Sequence, residues 1–261
     1  MLRNVALKTI RDGRRGLFWW SAGIVAFVLL TDAFYPSIKG DERFNELVED
    51  YPDVVKAFVG DTQLATPEGY LNSQLFSFMI PLLLMIYAVG AGARAVAGEE
   101  EAGTLDLLLS NPVSRTRLVL EKALAMAVQL ALLALVLFGS IAVPAPLFSL
   151  DIGAGAVAAA VAATSLLALV FGSLALLVGA ATGSRAAAIA IPAVLAIGAY
   201  LLNVLGEVVD PLEPWRVLSP FRHVGDPLRD GLGLGALVLA LLALVPAVVA
   251  PYLLERRDVA V

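Results

Sequence analysis

Six stretches of this chain are apolar over the length a helix needs to cross a bilayer, and nothing else in the sequence constrains the fold as strongly. They cover residues 17–34, about 75–93, about 123–143, 152–181, 186–205 and 231–254. About 20 helical residues cross the roughly 30 Å of hydrocarbon in a membrane. Each stretch is continuously apolar, without the alternation of a barrel strand, so the prediction is an all-α integral membrane bundle of six transmembrane helices. The fourth stretch is too long for an upright span, which predicts tilt or protrusion. Apolar residues make up 59% of the chain and charged ones 16%, against roughly 25% charged in a soluble domain. An ordinary soluble enzyme and a disordered chain are both excluded.

Orientation follows from the basic residues of the connections. With six spans both termini share one side, and twelve lysines and arginines fall on that side against six on the other. The expectation is a single transmembrane domain over 1–261, in the cell membrane, with both termini cytoplasmic. Residues 31–35 carry no small-x-small cleavage pattern, so the first stretch reads as a retained span rather than a signal peptide.

The connections divide into four pieces. Residues 1–15 are amphipathic, with Leu2, Val5, Ala6, Thr9 and Ile10 on one helical face and Asn4, Lys8, Arg11 and Arg15 opposite. This pattern predicts an interfacial helix with its cations toward lipid headgroups. Residues 36–73 form a large external loop, acidic, with Phe44, Leu47, Val48, Tyr51, Val54, Val55 and Phe58 at helical spacing. Residues 206–230 form a second external segment with four prolines, Trp215, Phe221 and the only histidine, His223, read as a loop residue.

The fourth piece, 98–115, is cytoplasmic. Glu99, Glu100 and Glu101 lead into Leu105, Leu108 and Leu109 at i, i+3, i+4 spacing, and the helix should stop before Pro112. Ser114 can then cap a new helix running into the third span. Such a short helix either docks in a groove of a soluble partner or lies on the membrane surface between two spans.

Chemistry is sparse. The chain has no cysteine and one histidine, which excludes disulfides and thiolate or paired-histidine metal sites. No catalytic site, cofactor site or metal site is expected. No charged residue lies well inside any span, so a proton or ion relay is excluded. Gly-x-Ser-x-Gly, His-Glu-x-x-His and Gly-x-x-x-x-Gly-Lys-Ser/Thr are all missing, so the chain does not hydrolyse nucleotide by itself. A net charge of −5 offers no field for nucleic acid. Polar groups at depth include Gln129 and Asn203. Gly90, Gly92, Gly153, Gly155, Gly172 and Gly179 offer close-packing surfaces in lipid.

The motif Glu99-x-Glu101-x-Gly103-Thr104-Leu105, then Leu108-Leu109, Pro112-x-Ser114-Arg115 and Lys122, resembles the signature of ABC type-2 transporter permeases. Leu218-Ser219-Pro220-Phe221 after the fifth span recurs in that family too, and the likeness extends over nearly the whole chain. It implies that residues 1–15 form an "elbow" helix and 99–110 a coupling helix. It further implies a permease working as a homodimer or with a homologous permease. Two cytoplasmic ATP-binding-cassette ATPase subunits would dock beneath, carrying the ATP and Mg that this chain does not bind. Glu99, Glu100, Glu101, Gly103, Thr104, Leu105, Leu108, Leu109, Pro112 and Arg115 would then meet the ATPase, with Arg115 and Lys122 stabilising the junction with span three.

By the same resemblance, residues 211–229 would be external re-entrant hairpin helices, with Leu218, Ser219, Pro220 and Phe221 at the outer gate. Phe27, Phe76, Phe78, Tyr87, Gln129 and Asn203 are the candidates to line a substrate path, although the aromatics could equally face lipid. The function implied is export of an amphipathic, drug-like, lipid or peptide substrate. The alternative is a membrane subunit that passes ATPase-driven motion to an external partner without a through-path.

Overall fold

The computed structural model describes residues 5–41, 51–60, 63–105 and 114–257. Among them every regular element is helical, and six helices are long and apolar enough to cross a membrane. They are α1 (Val5–Asp32), α2 (Met79–Ala93), α3 (Arg115–Ala142), α4 (Ala154–Thr182), α5 (Arg185–Leu205) and α6 (Leu234–Arg256).

Local chemistry sets several boundaries. The Ser114 hydroxyl accepts from the Arg117 amide at 3.2 Å, as expected of a cap for α3. Ser184 does the same for α5, accepting from the Ala187 amide at 3.3 Å. α4 stops where Gly183 turns left-handed at φ 69°, a conformation that relieves the last carbonyls at little steric cost.

Two boundaries differ from the sequence reading. The amphipathic N-terminal stretch and the first span form one unbroken helix, α1, without a turn between elbow and span. Val5 and Ala6 are buried, and their amides donate to one Glu121 carboxylate oxygen of α3 at 2.5 and 3.2 Å. An anion placed there satisfies donors that a helix start leaves open. The apolar face of residues 5–10 therefore meets protein as well as any lipid. The second span is also longer than its apolar core. Pro67–Leu71, a π-helical turn at Asn72–Phe76, α2, a second π-helical turn at Arg94–Gly98 and Glu99–Glu101 make a 35-residue run.

α4 is the centre of the bundle, packed against α2, α3, α5 and α6, while α1 lies mainly on α3. Close approach of α2 and α4 rests on two of the glycines. A Cβ at Gly92 would overlap the Gly172 carbonyl oxygen, and one at Gly172 would come 2.9 Å from the Ala88 Cβ. Gly153 and Gly155 face open space, and Gly90 faces the Arg94 side chain. α6 presents Leu234, Leu237, Leu241, Leu244 and Val248 outward, as a lipid-facing helix does.

In the segment between the first two spans Asp53–Val59 is helical, whereas Phe44, Leu47 and Val48 lie outside the described residues. The segment between α5 and α6 folds as short turns, 3-10 at Asp210–Leu218 and Pro220–Val224 and α at Pro227–Asp230. A hairpin of α-helices was the expectation. Pro211, Pro214, Pro220 and Pro227 each lack the amide that a continued helix would need.

Candidate functional site

The site has two parts, a polar clasp at the end of the bundle where the termini lie and an aromatic cleft between α2 and α5. Val5, Leu105, Leu118 and Leu254 share one buried cluster, so both chain ends and the 98–115 segment meet there.

The clasp grows from three consecutive glutamates. Successive residues on a helical turn point about 100° apart, so each reaches a different neighbour. Glu99 pairs with Lys122 of α3 at 2.5 Å and also accepts the Thr104 hydroxyl at 2.5 Å. Glu100 pairs with Arg257, whose other guanidinium nitrogen donates to the Ala180 carbonyl of α4 at 3.2 Å. Glu101 accepts the Arg185 amide at 2.9 Å and so caps α5. Arg115 donates to the Leu254 and Arg257 carbonyls at 3.1 and 3.0 Å, closing the end of α6. Thr116 donates to Glu255 at 2.5 Å. The end of span two is thus tied to α3, α4, α5 and α6 through a few adjacent side chains.

The turn after these glutamates depends on Gly103 at φ 65°, which brings its amide to the Glu100 carbonyl at 2.9 Å and the Thr104 amide to Glu99 at 2.9 Å. Leu105 follows and is buried at 1% exposure. Glu99, Glu100 and Leu105 are therefore engaged within the chain. Leu108, Leu109 and Pro112 lie outside the described residues.

The cleft is a cavity of about 660 Å³ between α2 and α5, with Trp20 of α1 on one wall. Phe78 and Tyr87, two of the path candidates, line this cleft, as does Phe221. Phe76 and Asn203 line a smaller space of about 200 Å³ toward the far end, with Phe221 shared between the two. Phe27 lies in a groove with Trp19, Trp20 and Met79. Gln129 lines none of these spaces. It is 5% exposed and donates to the Thr9 carbonyl at 3.4 Å, across from Gly13, so it joins α3 to α1.

Rings chain along the cleft. Phe78 and Tyr200 lie 5.4 Å apart, Tyr200 and Phe221 5.4 Å, and Phe221 and Phe171 6.0 Å. Trp20 and Tyr87 meet edge-on at 5.8 Å. The Leu218–Phe221 motif is held from below by Ser219, fully buried, whose hydroxyl donates to the Ala199 carbonyl at 2.8 Å and accepts the Phe221 amide at 3.2 Å. Pro220 starts the next turn, and Leu218 points outward, 67% exposed. Ser219→Ala is expected to lower unfolding stability by about 1 kcal/mol, the worth of one such bond, and to loosen Phe221, seen as faster ring exchange by NMR of labelled phenylalanine.

Sequence reasoning missed Tyr200, Arg257 and the cleft position of Arg94. Tyr200 lies within the fifth apolar run with no local signal, Arg94 stands at the end of the second, and Arg257 counted only toward topology. Lys122 was expected at the junction and is found there, against Glu99.

Residues 3–214 match the family described as ABC-2 family transporter protein. The chain belongs to that family. Over 84 residues it is also 42% identical to the Probable ABC transporter permease protein NosY of Pseudomonas aeruginosa. That match covers 32% of this chain and 29% of the relative. With six apolar helices and this membership, the chain is a multi-pass membrane protein of the ABC-2 family.

Proposed function

We propose that this ABC-2 family chain is the permease subunit of an exporter, working as a dimer in the cell membrane with both termini cytoplasmic. Two separate ATPase subunits bind ATP and Mg and dock beneath the clasp. The single observation that carries this reading is the clasp itself. A push on the 98–115 segment is passed through Glu99, Glu100 and Glu101 to α3, α6 and α5 together. The cleft between α2 and α5 begins one helical turn away, at Arg94. Rocking α5 against α2 would open or close that cleft, and Phe221 stands at its far end as a gate. The apolar, aromatic walls suit an amphipathic substrate that enters from the inner leaflet.

The roles of the glutamates and leucines separate here. Glu99, Glu100 and Glu101 hold the clasp, and Leu108 and Leu109 supply the apolar face for the ATPase groove. The test is co-purification of the tagged chain with the ATPase encoded beside it, in mild detergent. A complex of two permeases and two ATPases is expected from the measured mass, and a permease that retains no ATPase overturns the reading. Leu108→Asp should leave the permease folded and weaken ATPase retention at least about tenfold, since a buried anchor contributes roughly 2 kcal/mol. Unchanged retention in that variant would remove Leu108 from the contact. Substrate-stimulated ATP hydrolysis supports export, whereas stimulation by an external protein alone points to force transmission.

A further inference from the structure

We propose that the cleft between α2 and α5 binds an amphiphile with an anionic head group, the head on Arg94 and the tail along the aromatic wall. The walls are almost wholly apolar, and among the described residues Arg94 is the one charged residue lining them. Among the described residues Arg94 has no hydrogen-bond or ion-pair partner, while Lys122, Arg115 and Arg257 at the same end all have carboxylate or carbonyl partners.

The direction of the side chain matters more than its position. A basic residue at the end of a span ordinarily extends toward water. Arg94 instead runs back along the helix over Gly90, where a Cβ would stand 3.3 Å from its Nη1. That direction is the one helical side chains favour, and here it carries the cation toward the cleft and away from the clasp. Arg185 at the start of α5 adds to the positive field at Arg94. Arg94 is exposed, and a guanidinium at an apolar wall without a counter-charge is open to an anion that arrives with the ligand.

The rest of the cleft suits a tail. From Arg94 to Ser77 the α2 side runs for roughly 25 Å at the helical rise, most of the hydrocarbon thickness. Trp20, Met85, Ile189 and Ile197 line it along the way. Its volume of about 660 Å³ falls in the range of small-molecule sites. An amphiphile with a cationic head would meet Arg94 as a like charge, and a neutral one would leave it unpaired. The charge complement therefore singles out phosphate, sulfate or carboxylate heads, whether on a transported molecule or on a membrane lipid.

This inference rests on the reading of the cleft as the substrate path, and its test needs no ATPase, so failure of binding and failure of ATPase docking are separate results. Binding of dodecyl phosphate and of dodecyltrimethylammonium is measured on the purified full chain in phosphatidylcholine nanodiscs. The phosphate is expected to bind at least about tenfold tighter, the worth of a charge-assisted bond. Arg94→Gln should abolish that preference and Arg94→Lys should keep it. Ala193→Trp, which fills the cleft, should weaken both probes. Should Arg94→Gln fail to fold, Arg94→Lys and Ala193→Trp still decide between site and surface.

Equal binding of the two probes by the unaltered chain, or a full preference remaining in Arg94→Gln, overturns the proposal. Loss of all binding, with Ala193→Cys cross-linking between copies, assigns the cleft to a second copy and also overturns it. Adding phosphatidylglycerol to the nanodiscs separates the sources. Displacement of the probe names a membrane lipid as the occupant, and unchanged affinity favours a transported amphiphile. Both of those results support the anionic-head assignment.

Discussion

Glu99→Gln is expected to destabilise the permease by about 3 kcal/mol and to disconnect the 98–115 segment from α3. Lys122 is 5% exposed, and the Glu99 carboxylate at 2.5 Å is its counter-charge. Removing one member of a buried pair leaves the other charged and desolvated, which costs about 3–5 kcal/mol. The lower end applies here, because the Glu99 side chain is 22% exposed and retains some water. Glutamine still accepts from Thr104, so the turn at Gly103 should persist and the loss should report the ion pair. Unfolding in mixed micelles measures it. Adding Lys122→Met to Glu99→Gln should restore more than half of the loss, since no orphaned cation then remains. A single variant as stable as the parent, or a double variant no better than the single, would remove the pair from the clasp. Where the ATPase is present, the single variant should also lower the stimulation of hydrolysis by substrate.

The second large effect is expected at the crossing of α2 and α4. Gly172→Val should cost about 3 kcal/mol or prevent accumulation of the folded chain. A Cβ at Gly172 would stand 2.9 Å from the Ala88 Cβ and 3.1 Å from the Met126 Sδ, and valine adds two methyl groups to that crowding. Overpacking of this kind ordinarily costs about 1–3 kcal/mol, and between helices in lipid it also removes the close packing that holds them together. Gly155→Val is the control. Nothing lies within 4 Å of a Cβ there, so its effect should be below about 1 kcal/mol, near the helix propensity difference alone. Retention of full thermal stability by Gly172→Val would show that the α2–α4 contact yields.

These two predictions show where the sequence stopped being informative. From the sequence, Gly92, Gly153, Gly155 and Gly172 look alike, each a small residue in or beside an apolar run. Only Gly92 and Gly172 of these four meet another helix closely, because helix rotation about its own axis is set by all the neighbours at once. Gln129 gives the same lesson in a polar residue. Its depth made it a path candidate, whereas the bundle turns it toward the Thr9 carbonyl. Among the candidate-path aromatics, Phe78 and Tyr87 were found on the cleft, each on the side of the second span that faces α5. Tyr200 shares that cleft with no local signal of its own.

What the sequence by itself determined is the class of the molecule, the number of its long apolar helices and, at Ser114, where one of them begins. Hydrocarbon thickness fixes the length of an apolar run, and Ser114 acts on an amide three residues on, so both kinds of information are local. Only the tertiary structure decided that α1 continues unbroken from Val5, that three adjacent glutamates reach three different helices, and that Arg94 turns back over Gly90 into the cleft. The glutamate contacts depend on residues far apart in the chain, such as Glu100 and Arg257. Their pairing is settled by the packing of all six helices and is written in no single stretch of sequence.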